Sequence, residues 1–87
     1  MSAIFNVNIV TPQKIVYEGL AASLVVPAEF GYLGVLAHHA PIVASLVRGT
    51  ITVRDSSGHS RTFGCPGKGF LEVAGNAATL LLDSVDI

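Results

Sequence analysis

Tryptophan is absent, and Cys65 is the single cysteine among 87 residues. One thiol closes no intramolecular bridge, so this is not the disulfide-stapled scaffold that small secreted domains usually need. A reducing compartment is the expectation. Charge is also scarce. Asp, Glu, Lys and Arg make up 13% of the chain, about half the ~25% usual for soluble domains. Five Lys and Arg against six Asp and Glu leave a net charge of -1. So few cations cannot build a large basic patch, which argues against a nucleic-acid partner. No Lys or Arg precedes an apolar run in Met1-Ser2-Ala3-Ile4-Phe5-Asn6, so the start does not read as a signal peptide. A capped, amphipathic helical window is missing throughout. Phe30 to Val47 holds no Asp, Glu, Lys or Arg, but Gly31, Gly34, His38, His39 and Pro41 argue against a membrane-spanning helix there.

What is present is apolar and finely punctuated. Hydrophobic residues reach 51%, which excludes intrinsic disorder. With so little charge, part of the surface is expected to be covered by partners. Nine glycines and four prolines interrupt the chain every few residues. Ile4 to Val10 opens with β-branched residues and breaks at Thr11-Pro12-Gln13. Lys14 to Tyr17 is a second short strand, ending near Gly19, and Ala21 to Val26 a third, closed by Pro27. Leu33 to Leu36 and Pro41 to Leu46 follow. Gly49 to Arg54 alternates Ile51 and Val53 against Thr50, Thr52 and Arg54, the period of a half-buried strand. Asp55-Ser56-Ser57-Gly58 turns the chain back into Arg61-Thr62-Phe63. Phe70 to Val73 and Ala78 to Leu82 flank Ala74-Gly75-Asn76-Ala77 as a second hairpin. Short strands between such turns predict a single-domain, all-β antiparallel sandwich or barrel over 1–87.

The side chains that carry chemistry do not converge in sequence. Neighbouring residues on a strand point to opposite faces, so His38 and His39 are poorly placed to chelate one metal. His59 lies in a different hairpin, and zinc requires three or four ligands. No metal site is expected. Cys65 lies in Gly64-Cys65-Pro66-Gly67, without a helix N-terminus and with only Lys68 as a nearby cation to activate it, and reads as a small buried apolar side chain. Gly64-Cys65-Pro66-Gly67-Lys68-Gly69 superficially resembles a phosphate loop. Only two residues separate Gly64 from Gly67-Lys68, where the pattern requires four, and Gly69 stands where Ser or Thr belongs. It reads as a turn or β-bulge. Glu29 and Glu72 are solvated carboxylates by default. No catalytic residue and no cofactor is expected.

One stretch goes further. Gly31-Tyr32-Leu33-Gly34-Val35-Leu36-Ala37-His38-His39-Ala40-Pro41 resembles the Gly-x-Leu-Gly-(Ile/Val)-x-x-x-His-Ala-Pro segment of the epsilon subunit of F-type ATP synthases, called delta in mitochondria. Asn8-Ile9-Val10-Thr11-Pro12 and Tyr17-Glu18-Gly19 are similar to that family's opening strand and turn. Gly49-Thr50-Ile51-Thr52-Val53 and Gly69-Phe70-Leu71-Glu72-Val73-Ala74-Gly75-Asn76 are similar to its later strands. The resemblance spans about Ile4 to Asp83. It implies an N-terminal β-sandwich of about ten short strands and a non-catalytic rotor subunit of the central stalk. Its partners would be the gamma subunit and the c-ring, coupling ion-driven rotation to ATP synthesis. Its location would be peripheral, on the cytoplasmic face of an energy-transducing membrane such as the bacterial inner membrane.

By matching positions, Glu29, Phe30 and Tyr32 would face the c-ring, while Thr11, His39, Ala40 and Pro41 would lie near gamma. Family members typically continue into a C-terminal helical hairpin. The sequence given ends at Asp86-Ile87, so that hairpin is absent from it, and its inhibitory and ATP-binding roles are not carried over. The rival expectations are a small β-sandwich hydrolase, joining His38 or His39 to Cys65 or a carboxylate, and a carbohydrate- or peptide-binding sandwich. The binding sandwich would line its groove with aromatics, and this chain has no Trp and only two Tyr.

Overall fold

The computed structural model describes residues 3–86. Those residues contain no helix. Seven strands follow in chain order: β1 (Phe5–Val10), β2 (Ile15–Ala21), β3 (Ser23–Ala28), β4 (Gly31–Leu36), β5 (Ile42–Arg54), β6 (Ser60–Ala74) and β7 (Ala77–Leu82). They form one hydrogen-bonded sheet in the order β2-β1-β7-β6-β5-β3-β4. Strands from both ends of that order share one core, including Val7 and Ile9 of β1, Ala21 of β2, Leu24 and Val26 of β3 and Val35 of β4. A flat sheet cannot bury its two ends against each other, so this one folds over into two layers.

β5 and β6 make the fold possible, because each belongs to both layers. The first half of β5 and the second half of β6 pair from Ile42↔Val73 to Leu46↔Gly69. Their other halves pair from Arg48↔Pro66 to Arg54↔Ser60. Between these runs the register shifts, with Gly67 and Lys68 of β6 opposed by Val47 alone. Gly67 has φ 102° and Lys68 φ 57°. A bulge of this kind bends a strand and increases its twist. On β5, Val47 and Arg48 both face outward, and the inward set changes from Ala44 and Leu46 to Ile51 and Val53.

The expected ten strands are therefore seven. Pro41 to Leu46 and Gly49 to Arg54 are halves of one strand, and Arg61 to Phe63 and Phe70 to Val73 are halves of another. The turn-like residues Gly64 to Gly69 do not end β6; they hold its bulge, as the sequence suggested. Pro27 does not close β3 either. It sits inside the strand where the pairing with β5 shifts between Val25 and Ala28, so its missing N–H breaks no regular ladder. One pair, β1 with β7, is parallel. Period-2 patterning carries no information on strand direction, so an antiparallel expectation misses this pair.

The two turns expected from sequence are present. Asp55 Oδ1 accepts the N–H groups of Ser57 (2.9 Å) and His59 (3.0 Å), and Gly58 takes φ 89°. Gly75 and Asn76 both have left-handed φ (56° and 58°) between the paired Ala74 and Ala77. That is the two-residue turn whose twist matches its strands. The open edge between the layers is closed by side chains and by the C-terminal segment. Tyr17 of β2 meets Phe63 of β6 edge-on at 5.7 Å, and the Arg61 guanidinium lies over both rings. Asp86 bridges backbone to backbone with Gly64.

Candidate functional site: two surfaces and no convergent chemistry

The buried positions leave a well-defined outer face on the layer β2-β1-β7-β6-β5. Pairing aligns Ser45 with Phe70, Phe70 with Leu81, Leu81 with Val10, and Val10 with Ile15. Directly paired residues point to the same side of a sheet. Phe70 (54%), Leu81 (51%) and Ile15 (58%) are thus exposed side by side. Pro12, Lys68 and Asp83 rim the Val10, Leu81 and Phe70 part of this row, and with it they line a shallow hollow. Val43 (69% exposed) and Leu20 (52%) extend the apolar character towards other parts of the same face. Apolar side chains grouped in one outward row differ from the singly scattered ones that any surface carries.

A second surface is the β3–β4 turn. Glu29 and Phe30 share a hollow with Val43, Ala44 and Ser45, and the Glu29 N–H donates to Ser45 O at 3.0 Å. Phe30 is 71% exposed, with its ring free of the core. Tyr32 belongs to a different neighbourhood. Its hydroxyl reaches over Gly49, where an added Cβ would stand 2.7 Å from it, and that hydroxyl accepts the Thr50 N–H at 3.1 Å.

The residues assigned to gamma do not form one cluster. Thr11 is buried, and its hydroxyl donates to Lys14 O at 3.3 Å, inside the β1–β2 turn. His39, Ala40 and Pro41 lie in the β4–β5 connection at the opposite end of the layer. The register places them five to seven residues along and three strands across from Thr11, more than about 20 Å away. They bracket the apolar face at two corners. The His39 N–H donates to Leu36 O, and His39 Nδ1 lies 2.7 Å from Ala40 O.

Sequence reasoning overlooked Asn76. Its side-chain oxygen accepts the His38 N–H at 2.8 Å, and its side-chain nitrogen donates to Ile4 O at 3.0 Å. Its position in a turn was legible; its reach to segments 38 and 72 residues away was not. From sequence Phe70 and Leu81 read only as strand residues flanking a hairpin; the register alone sets their outward direction.

Cys65 is buried in the core opposite Gly49, away from the His38-His39 connection. Among the described residues no three His, Cys, Asp or Glu side chains gather as metal ligands. His59 pairs loosely with Asp55 at 3.7 Å on an exposed turn. The geometry is that of a two-layer sandwich with an apolar outer sheet face and an exposed aromatic turn.

The family model for the β-sandwich domain of the ATP synthase delta/epsilon chain matches residues 4–86, and the chain belongs to that family. The ATP synthase epsilon chain of Latilactobacillus sakei is 42% identical over 85 residues, covering 95% of this chain and 58% of that protein. The epsilon chain of Chlorobaculum tepidum is 41% identical over 81 residues and is covered over 91% of its length. The chain thus spans a little under three fifths of the first relative and nearly all of the second. A chain in the mitochondrial ATP synthase of Euglena gracilis, solved as an OSCP/F1/c-ring assembly, has the same fold. Its TM-score is 0.88 at 20% identity, covering 95% of this chain and 52% of that one.

Proposed function

We propose that the chain is a non-catalytic rotor component of the central stalk of an F-type ATP synthase. It docks on gamma and on the c-ring and couples ion-driven rotation to ATP synthesis. The observation that carries this reading is the outward apolar row Ile15, Val10, Leu81 and Phe70, in a chain of the delta/epsilon family. Torque transmission requires a block that does not yield between its two contacts. A closed two-layer sandwich with one continuous core meets that need.

Gamma occupies the apolar sheet face, between the corners marked by Thr11 and by His39-Ala40-Pro41. The c-ring meets the β3–β4 turn, where the Phe30 ring stands free beside the Glu29 carboxylate. Tyr32 has a smaller share in that contact, since its hydroxyl is engaged with Thr50. The protein is peripheral, held at the cytoplasmic face of the membrane by these partners; no helix of the described residues is long and apolar enough to cross a bilayer.

The test is capture of gamma and of detergent-solubilised c-ring by the tagged chain. Leu81→Asp places a charge in the middle of the apolar row and is expected to abolish gamma capture while c-ring capture through Phe30 persists. Phe30→Ala is expected to do the reverse, at a cost of about 2 kcal/mol if the ring is an interface anchor. Normal capture of both partners by both variants would refute the proposal.

A further inference from the structure

We infer that Asn76 is a positioning residue: its amide clips the β4–β5 connection into one conformation and so presents His39-Ala40-Pro41 to a partner. The inference rests on the rotor reading for the identity of that partner, and on geometry alone for the clip.

Three separate segments meet at this side chain. The turn itself supplies the backbone, with Asn76 at φ 58° and its carbonyl accepting the Asn6 N–H at 3.2 Å. The amide oxygen accepts the His38 N–H, and the amide nitrogen donates to Ile4 O. One side chain thereby ties the β6–β7 turn to the start of β1 and to the link between the two layers. Its requirements are strict. A left-handed φ is rare outside glycine, and asparagine is among the few residues that tolerate it. Of such residues, asparagine alone brings both a donor and an acceptor on a short amide.

The connection it holds is itself unusual. His38 has φ 63°, a conformation uncommon for a residue with a side chain and sustained only when its surroundings over-determine it. The Asn76 oxygen is its long-range tether, and the next residue, His39, closes the turn through Leu36 O. Without the tether the link is free to relax from its left-handed position. His39, Ala40 and Pro41 then sample other directions, and binding weakens by the fraction of chains that remain in the competent shape.

Two variants separate the clip from general stability. Asn76→Gly keeps the left-handed turn and loses both amide bonds. Asn76→Asp keeps the acceptor for His38 and loses only the donor to Ile4. Amide hydrogen exchange on the free chain reads the clip directly. In Asn76→Gly the His38 amide is expected to exchange about fivefold faster, while the Asn6 amide, bonded to the backbone of residue 76, keeps its rate and reports an intact hairpin. In Asn76→Asp the His38 rate returns to that of the unaltered chain. Affinity for gamma is expected to follow the His38 rate, falling several-fold in Asn76→Gly and recovering in Asn76→Asp. An unchanged His38 rate in Asn76→Gly overturns the inference. So does a faster rate with unchanged gamma affinity, which leaves the rotor reading standing. Failure of the unaltered chain to bind gamma overturns the rotor reading, and the exchange rates of the free chain still decide the clip.

Discussion

Phe30 and Tyr32 stand two positions apart at one glycine-marked turn, and the fold gives their rings different work. Phe30 is 71% exposed and bonded to nothing. Tyr32 is nearly as exposed at 62%, yet its hydroxyl is the partner of the Thr50 N–H and reaches over Gly49. Phe30→Ala is therefore expected to leave the urea midpoint of the chain almost unchanged, within about 0.5 kcal/mol. Tyr32→Phe removes a hydrogen bond without removing ring packing and is expected to cost about 1 kcal/mol. A larger loss for Phe30→Ala than for Tyr32→Phe would mean that the Phe30 ring is core. Gly69 is the sharper constraint. Its position is buried, and an added Cβ would stand 2.8 Å from Leu81 O, with the Leu82 side chain also in contact. The backbone oxygen cannot swing away, so Gly69→Ala is expected to cost about 1–3 kcal/mol by overpacking, seen as a lowered midpoint in the same titration.

At the scale of the element, the bent β5–β6 pair decides the architecture. The sequence around Gly67 has the chemistry of a break: a proline, two glycines and a lysine within four residues. In isolation such residues end a strand. Here they are held in a bulge, because the hydrophobic residues on either side, Cys65 and Leu71, face the same core. Tertiary burial overrode the local signal, and so two expected strands are one. Substitutions at two glycines, one in the β6 bulge and one on edge strand β4, should show the difference. Gly67→Ala forces a side chain into φ 102° and is expected to destabilise by more than about 1 kcal/mol. Gly34 on edge strand β4 has ordinary φ and open space around it. Gly34→Ala is expected to be neutral or stabilising by about 0.5 kcal/mol, because alanine lowers the entropy of the unfolded chain. Equal losses at the two positions would mean that the bulge is not strained.

At the largest scale, the described residues form one core wrapped by one folded sheet, 35 × 24 × 20 Å across. Lys68, in the segment that superficially resembles a phosphate loop, lies exposed on the bulge beside Phe70. The purified chain is expected to hydrolyse no ATP, and Lys68→Ala is expected to leave that blank unchanged. Turnover lost on Lys68→Ala, measured by phosphate release, would overturn the proposed docking role. Sequence by itself determined the all-β class, the turns at Asp55–Gly58 and Gly75–Asn76, the buried character of Cys65 and the family resemblance. All of these are written in local residue types: period-2 alternation, residues that accept positive φ, and one contiguous motif. Tertiary structure alone decided that β5 and β6 run through both layers, that β1 lies parallel to β7, that Phe70 and Leu81 share an outward row, and that Asn76 reaches His38 and Ile4. Each of these depends on the register between segments distant in the chain, and register is fixed by simultaneous burial of all the strands against one core rather than by the residues of any one strand.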